Sequence, residues 1–204
     1  MFHLAKGLYE NWNKKEEYSV LILGLDNAGK TTFLEQIKRT YNPNAKVIPL
    51  ERITPTIGQN VHTISIASNY LKFWDLGGQS ELRTLWSEYF EHCHGIIFVV
   101  DSSDKDRIEE VSKELIKIVD SSENYDGLDT SIPILMLANK QDIPDKLEVE
   151  DIKEIFNKLA EKLNARDSKV LPIIATKGEG VKDAVEWLNV RLLRNKVNKQ
   201  PKYK

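Results

Sequence analysis

The 204-residue sequence predicts an α/β fold, in which a mostly parallel sheet carries helices on both faces. Short apolar runs typical of strands alternate along the chain with segments whose apolar residues recur at helical spacing. Several runs are almost continuously apolar, as expected for strands buried on both faces of a parallel sheet. A glycine-rich segment, residues 24–31, lies between one such run and a helical pattern, which is the setting of a strand–loop–helix unit. One sheet with right-handed crossovers is therefore expected.

Six strands and four helices are predicted in chain order. Alternation of polar and apolar residues in 61–66, followed closely by 70–74, predicts a hairpin and therefore one antiparallel pair. The strands are expected at residues 18–23, 61–66, 70–74, 96–100, 132–138 and 170–174. Helical patterns occupy the intervals at residues 29–40, 105–120, 149–163 and 181–194. Together these elements predict one domain over residues 18–195.

Two terminal segments flank this domain. Residues 1–17 are expected to form an amphipathic helix and a polar hinge, with a stripe made of Phe2, Leu8, Tyr9 and Trp12. The helix could pack on the domain or lie in a membrane interface, where such side chains are favoured. Myristoylation needs a glycine after the initiator Met, and Phe2 excludes it. The basic segment 196–204 is expected to be a disordered tail.

Composition and charge narrow the functional classes. A net charge of −2 gives no global reason to expect nucleic acid as a partner. The single cysteine, Cys93, cannot form an internal disulfide, so a reducing compartment is expected. His92 and His94 flank it, but adjacent side chains point to different sides of the backbone, which favours packing over metal binding. Without a membrane-length apolar run or a signal peptide, the protein is expected to be cytoplasmic unless something tethers it.

Residues 24–31 match the phosphate-binding pattern G-x-x-x-x-G-K-T. Glycines let several backbone N–H groups point into one concavity, and the helix N-terminus adds a partial positive charge. Lys30 would reach the β- and γ-phosphates in a catalytic role, and the Thr31 hydroxyl would hold Mg²⁺. A nucleoside triphosphate is therefore the expected ligand, contacted by Gly24, Leu25, Asp26, Asn27, Ala28, Gly29, Lys30, Thr31 and Thr32.

The segment 139–142, which follows the apolar run at 132–138, indicates guanine as the base. The carboxylate of Asp142 can accept two hydrogen bonds from guanine, and adenine lacks both donors in that arrangement. A buried acceptor left unpaired discriminates by about 10⁴–10⁵-fold. Ligands bind at the carboxyl ends of strands in open α/β sheets, which is where this segment falls. The base-contacting residues are expected to be Asn139, Lys140, Asp142, Ala175 and Thr176.

Two further loops are expected to sense the γ-phosphate: switch I, residues 54–58, and switch II, residues 74–79. Asp75 can hold Mg²⁺ through water, Gly78 can present its N–H to the γ-phosphate, and Gln79 can orient the attacking water. Thr56 supplies a hydroxyl that closes the Mg²⁺ shell only when the γ-phosphate is present. Two loops that depend on one phosphate make a switch, because hydrolysis releases both.

These segments together resemble the ADP-ribosylation-factor branch of small GTPases over residues 1–195. The resemblance rests on residues 24–31, 55–58, 74–79, 139–142 and 175–176. The start Met1-Phe2, the region of Trp12 and residues 58–60 are most similar to a Golgi-resident, factor-related branch of that family. The resemblance implies a mostly parallel six-stranded P-loop GTPase fold and a molecular switch that binds GTP with Mg²⁺ and hydrolyses it.

The resemblance also implies how such a switch reaches membranes and effectors. A hairpin at about residues 58–74 would slide on GTP binding and expel the N-terminal helix onto a membrane. Members present three aromatic residues to effectors; Trp74 and Tyr89 match two, but Gln59 occupies the third position. Ile57 of switch I is expected to belong to the same effector surface. The implied partners are an exchange factor, an activating protein and Golgi effectors. A peripheral monomer on trans-Golgi membranes, with an acetylated Met1 and a multi-spanning receptor, is expected.

Two alternatives use the same phosphate-binding segment. A P-loop nucleotide kinase would need an arginine-rich lid and an acceptor segment, and neither is visible in the sequence. A GTP-binding scaffold that hardly hydrolyses remains open, because Arg52 lies four residues before Thr56 and no cis arginine is evident in switch I. Intrinsic turnover is expected to be on the order of 10⁻⁴ per second by analogy with Ras, with a partner's arginine raising it about 10³–10⁵-fold.

Overall fold

The computed structural model describes residues 15–119, 128–158 and 166–204. The predicted N-terminal helix and its apolar stripe lie outside these ranges, as do residue 120 and residues 159–163 of the predicted helices. Seven strands are described: β1 (Glu16–Leu23), β2 (Gln59–Ile66), β3 (Asn69–Leu76), β4 (Gly95–Asp101), β5 (Ile134–Asn139), β6 (Ser168–Pro172) and β7 (Lys202–Tyr203). The α-helices are α1 (Lys30–Tyr41), α2 (Ser80–Arg83), α3 (Ile108–Val119), α4 (Val149–Lys158) and α5 (Val181–Asn195). Short 3₁₀ segments span Leu50–Arg52, Trp86–His92 and Lys105–Arg107.

The predicted α/β class and its single hairpin are confirmed. The strand order is β2-β3-β1-β4-β5-β6, and the pairs from β3 to β6 are parallel. β2 and β3 are antiparallel, with Val61 opposite Trp74. β3 lies beside one edge of β1, and β4, which follows later in the chain, lies beside the other edge. At this change of side a crevice opens at the carboxyl ends of the strands.

Alternation along β1 gives each face of the sheet its own core. Val20 and Ile22 pack among residues of α1 and α5, whereas Leu21 and Leu23 pack among residues of α3 and α4. All four side chains are fully buried, and burying each contributes about 1.5–3 kcal/mol. β1 is therefore held inside the sheet by helices packed on both faces. This packing also fixes the position of the loop that follows β1. Across the described parts of the chain, no helix has the length and apolarity needed to cross a bilayer.

The prediction that residues 196–204 form a disordered tail is wrong, and so is the placement of residues 16 and 17 in a hinge. Lys202–Tyr203 forms β7, which pairs antiparallel with Glu16 and Glu17 of β1 and adds a seventh strand to the sheet. Because β3 occupies the other edge of β1, β7 lies on the edge that β4 takes over from Val20 onward. The backbone groups at the start of β1 need partners, and the tail supplies them.

His94 and lysine ion pairs attach this tail to the domain. The His94 ring accepts the Ser19 N–H at Nδ1 (3.0 Å), so its Nε2 donates to the Gln200 carbonyl (2.9 Å). Lys196 and Lys204 form ion pairs with Glu16 and Glu17 of β1, respectively. The lysine-rich sequence of the tail favoured solvent exposure, but Lys196 and Lys204 are held by ion pairs with the two glutamates that begin β1. Cys93 is fully buried, which confirms the expected packing role.

Candidate functional site

Residues 24–31 form a loop that connects β1 to α1, and no residue with a Cβ fits at either of its glycines, Gly24 and Gly29. Gly24 has φ +140°, and a Cβ there would lie 2.2 Å from the Val99 carbonyl oxygen. Gly29, with φ +95°, caps α1, and a Cβ there would lie 2.3 Å from Nδ2 of Asn139. Asn27 adopts a left-handed φ of 64°, which asparagine tolerates better than most residues. The loop therefore packs closely against the end of β4 at Val99 and the end of β5 at Asn139.

Lys30 lies inside this loop. Its ammonium donates hydrogen bonds to the carbonyl oxygens of Gly24 (2.9 Å) and Leu25 (2.8 Å). Burial lowers the pKa of Lys30 to about 8, with the Asp75 carboxylate opposing that shift. The side chain is therefore still mainly protonated at neutral pH, and it places a positive charge beside the backbone concavity of the loop.

Hydroxyl groups from two separate segments meet the carboxylate of Asp75 beneath the loop. Thr31 Oγ1 donates to Asp75 Oδ2 (2.7 Å) and lies 2.9 Å from Thr56 Oγ1. Asn60 Nδ2 also donates to Asp75 Oδ2, at 3.3 Å. The other carboxylate oxygen, Oδ1, is buried and has no hydrogen-bond partner among the described residues. Burial raises the pKa of Asp75, so this carboxylate is short of stabilising contacts.

Such a set of oxygen donors fits Mg²⁺, which prefers carboxylate, hydroxyl and water oxygens. The orphaned Oδ1 of Asp75 is the buried group that a bound water or cation would satisfy. The residues brought together are those predicted for the metal: Thr31, Thr56 and Asp75. In contrast, no cluster of three or more His, Cys, Asp or Glu side chains suited to a metal ion occurs in residues 15–119, 128–158 and 166–204.

At the other end of the site, Asn139 joins three loops. Its buried Nδ2 donates to the Ala28 carbonyl (2.8 Å), and its Oδ1 accepts the Ala175 N–H (3.0 Å). The expectation that Asn139 contacts the base therefore needs refinement, because the described partners of its amide are protein backbone. Lys140 has a left-handed φ of 65°, and its ammonium forms an ion pair with Asp101.

A cavity of about 440 Å³ runs between these two ends. Of the predicted nucleotide-contacting residues, Gly24, Leu25 and Ala28 do not line it, and the Leu25 and Ala28 side chains are buried in the core. The predicted residues that line it are Asp26, Asn27, Gly29, Lys30, Thr31, Thr32, Thr56, Gly78, Gln79, Asn139, Lys140, Asp142, Ala175 and Thr176. The sequence reasoning missed its apolar wall, made of Leu50, Ile53 and Ile143. The signal that could have identified this wall is the occurrence of these apolar residues in loops that are otherwise polar.

Comparison with known proteins decides the family. The sequence profile of the ADP-ribosylation factor family matches residues 4–192. The chain belongs to the ADP-ribosylation factor family. It is 62% identical to ADP-ribosylation factor-like protein 3 of Saccharomyces cerevisiae over 205 residues, covering 100% of both chains. It is 46% identical to ADP-ribosylation factor-related protein 1 of Bos taurus over 202 residues, covering 99% of this chain and 98% of the relative.

A solved structure supports both the fold and the ligand class. The Arl6 BBS3 small GTPase from Trypanosoma brucei, with the bound nucleotide analogue GppNp, superposes with a TM-score of 0.74 at 29% identity. The match covers 88% of this chain and 99% of that one. The predicted P-loop GTPase fold and the resemblance to this family are therefore confirmed. As a member of the family, the chain binds GTP and GDP with Mg²⁺ and hydrolyses GTP, and it works with exchange factors, activating proteins and effectors.

The predicted effector residues of this ADP-ribosylation factor-family domain differ in exposure: Ile57 and Gln59 are exposed, whereas Trp74 and Tyr89 are half-buried and pack against the core. Trp74 contacts Tyr89, with ring centroids 5.7 Å apart, and the Lys72 ammonium lies 4.4 Å from the Trp74 ring centroid. Val61, opposite Trp74, and Gln59, two residues along β2, alternate onto the same face. Ile57 precedes them in switch I and is 86% exposed.

The structure also identifies switch II contacts that the sequence did not reveal. Trp86 Nε1 donates to the Gly77 carbonyl (3.0 Å), and Arg83 Nε donates to the Gly78 carbonyl (2.7 Å). A Cβ on Gly78 would lie 2.5 Å from Asp26 N, so switch II is in direct contact with the phosphate-binding loop. Gln79 follows on the exposed side of the cavity. Arg83 gave no signal as a lone basic residue in a short helical segment.

Proposed function

We propose that this GTPase is a switch that associates with Golgi membranes in its GTP state and recruits effectors for vesicle trafficking. The observation that carries the switch is the convergence of Thr56 and Asp75 on Thr31, at 2.9 and 2.7 Å. Thr56 belongs to switch I and Asp75 to switch II, so one small volume connects both loops to the phosphate-binding segment. A ligand in that volume would bias both loops together.

Particular residues of this chain would act on the phosphates. Thr31 and Thr56 would hold Mg²⁺ directly, and Asp75 would hold it through water. The ion, when bound, neutralises charge on the β- and γ-phosphate oxygens. Lys30 would turn its ammonium from the loop carbonyls to those oxygens. Gly78 would donate its N–H to the γ-phosphate.

Gln79 would orient the attacking water with its side-chain amide. Its exposure at the mouth of the cavity supports this role, because water reaches that position directly. No arginine of switch I lines the described cavity, which supports a slow intrinsic rate that an activating protein raises.

Asp142 would select guanine from the far end of the cavity. Asp142 lines the cavity, and its carboxylate lies 3.4 Å from the Lys177 ammonium, so a donor-rich base edge would find two acceptor oxygens there. Ala175 and Thr176 line the same end, and Asn139 holds their loop in place through the Ala175 N–H. Lys140 would support the base from the side opposite Asp142.

Effectors would bind the surface formed by Ile57, Gln59, Val61, Trp74 and Tyr89. It couples to the nucleotide because Ile57 follows Thr56 directly and Trp74 precedes Asp75 directly. The polar Gln59 in a position where relatives carry an aromatic residue predicts an altered effector set. The half-buried rings of Trp74 and Tyr89 beside Lys72 favour partners with apolar and acidic groups.

The Golgi destination rests on the resemblance of the N-terminal start and of residues 58–60 to the Golgi branch of the family. The apolar stripe of residues 1–12 would contribute the membrane contact. Each such side chain contributes at most about 1.5–3 kcal/mol on full burial, and an interface captures only part of this. Stable anchoring therefore needs a second signal, for which a Golgi membrane receptor is the proposed source. The protein would act as a monomer.

The test is nucleotide-dependent binding to isolated Golgi membranes. Gln79→Leu protein loaded with GTP should co-sediment with them, whereas Thr31→Asn protein should remain in the supernatant. Protease treatment of the membranes should remove most binding, and receptor-free, uncharged liposomes should bind only weakly. Phe2→Ala should reduce binding, and Lys6→Ala is its matched control on the polar face. Equal binding in both nucleotide states, or tight binding to uncharged liposomes, would contradict the proposal.

A further inference from the structure

Four charged side chains connect the phosphate-binding loop, switch II and the start of α3. Arg83 donates from Nη1 to Glu110 Oε1 (2.6 Å), and Arg107 donates from Nε to Glu110 Oε2 (2.7 Å). Arg107 Nη2 in turn donates to Asp26 Oδ1 (2.8 Å), with Arg83 Nη2 3.5 Å from the same oxygen. Two arginines and two carboxylates thus form a closed ring. Glu114 adds a further contact to Arg83 at 3.5 Å.

Arg83 is the member of this ring that reaches the switch backbone. Its side chain is only 6% exposed, and its Nε donates to the Gly78 carbonyl at 2.7 Å. The same carbonyl accepts the Asp26 N–H of the phosphate-binding loop at 3.1 Å. The Gly78 peptide is therefore fixed by a cation on one side and by the loop on the other. Gln79 is bonded to that peptide, so its position depends on both contacts.

Little else in the described structure holds Gln79. Its side chain is exposed and makes no capping hydrogen bond to α2, and α2 itself has only 4 residues. A short helix of this kind has weak intrinsic stability, so the packing and ion pairs around it set its position. Charge-assisted hydrogen bonds are the stronger kind, and the ring supplies three of them. Hydrogen bonds from Arg107 and Arg83 also lower the pKa of Glu110 to about 2, so this carboxylate is ionised at neutral pH.

We propose that Arg83 is a positioning residue for GTP hydrolysis, which fixes the Gly78–Gln79 peptide through the Gly78 carbonyl while Glu110 holds its guanidinium. This inference rests on the roles proposed above for Gly78 and Gln79. Arg83 does not touch the reacting atoms; it acts by keeping the Gln79 amide within reach of the attacking water. A misplacement of about 1 Å at such a site can cost about 100-fold in rate.

The variants are Arg83→Lys, which keeps the charge but loses the guanidinium geometry, Glu110→Gln, and the double variant. Arg39→Lys on the exposed side of α1 and Glu109→Gln on the exposed side of α3 are matched controls. Release of labelled phosphate from preloaded GTP gives the hydrolysis rate of bound nucleotide. Exchange of fluorescent nucleotides gives the ratio of GTP to GDP affinity, and urea unfolding reports the stability of each variant.

Arg83→Lys should slow hydrolysis of bound GTP by at least about tenfold and lower the ratio of GTP to GDP affinity, with little change in GDP dissociation. Glu110→Gln should have a smaller effect in the same direction. The double variant should be no slower than Arg83→Lys, because both residues act through one contact. The two controls should behave as wild type.

Unchanged hydrolysis in Arg83→Lys, or losses that multiply in the double variant, would overturn the inference. A purely structural role would instead raise GDP dissociation and lower stability without changing the affinity ratio. If Arg83→Lys does not fold, Glu110→Gln decides alone, since its side chain is partly exposed. Gln79→Leu serves as the reference. Slow hydrolysis in Gln79→Leu with normal hydrolysis in Arg83→Lys refutes the inference about Arg83 alone, whereas normal hydrolysis in Gln79→Leu refutes the proposed role of Gln79 and, with it, the inference that rests on that role.

Discussion

Removal of the Asn139 side chain should loosen the whole site. Asn139→Ala leaves two buried backbone groups without partners, the Ala28 carbonyl and the Ala175 N–H. Each unsatisfied group costs about 1–3 kcal/mol, so the combined penalty is about 2–6 kcal/mol. Against a total unfolding free energy of about 5–15 kcal/mol, this is a severe loss.

The penalty can appear in two places. If the loops stay in position, the unfolding free energy falls by the full amount. If they relax toward solvent, stability recovers in part, but the phosphate and base loops separate and GDP dissociates faster, tenfold for about every 1.4 kcal/mol. Urea unfolding at a fixed GDP concentration and fluorescent GDP dissociation should therefore together account for about 2–6 kcal/mol.

Asn189→Ala is the matched control, since the Asn189 amide oxygen is also buried but accepts from Asn69, away from the cavity. It should lower stability without changing GDP dissociation. Asn139→Asp should be intermediate, because one carboxylate oxygen can still accept the Ala175 N–H while the donor to Ala28 is lost. If Asn139→Ala unfolds and releases GDP as the wild type does, the assignment of Asn139 as the link between loops is refuted.

Three further predictions follow from the site and the tail. Asp142→Asn should weaken GTP binding by several kcal/mol and improve xanthosine triphosphate binding in competition assays; a wild-type preference for ATP would contradict the assignment of the base. Thr31→Asn should weaken GTP with Mg²⁺ far more than GDP in exchange assays, and equal losses would mean that Thr31 only supports α1. Burial lowers the pKa of His94 from 6.5, so the unfolded chain binds more protons and stability should decrease as pH falls below about 6.5. His94→Gln should make this decrease smaller when urea unfolding is measured as a function of pH. His62→Gln is the control, because burial also lowers the pKa of His62, which lies away from the tail, and it should change the profile less. An unchanged profile in His94→Gln would contradict the role of His94.

Much of the fold and site could be read from local patterns. The side chains of Val20 to Leu23 alternate between the cores on the two faces of the sheet, and their uninterrupted apolar character predicted a strand buried on both faces. The phosphate-binding segment was recognisable because its glycines meet a local backbone requirement, a positive φ of +140° at Gly24 and +95° at Gly29. The switch segments were recognisable because Asp75, Gly78 and Gln79 come at the end of a predicted strand and the Thr56 hydroxyl lies a short way upstream. These signals depend on short-range geometry, which sequence spacing records directly.

Other features depended on contacts between distant segments. The basic tail appeared solvent-exposed, yet the backbone groups of Glu16 and Glu17 bind Lys202–Tyr203, more than 180 residues away in the chain. Arg83 looked like any surface arginine until its Nε was found on the Gly78 carbonyl. The Asn139 amide proved to bridge loops, because one partner follows the central strand β1 and the other follows the edge strand β6.

The sequence by itself determined the α/β class, the family-defining segments and the chemistry that GTP needs, since these follow from residue type and local spacing. Only the tertiary structure decided which side chains satisfy which buried groups. A buried donor or acceptor must find a partner somewhere, but its identity depends on the folded path of the whole chain. The seventh strand, the Asn139 bridge and the Arg83 contact all arise from that requirement, and no local pattern specifies them.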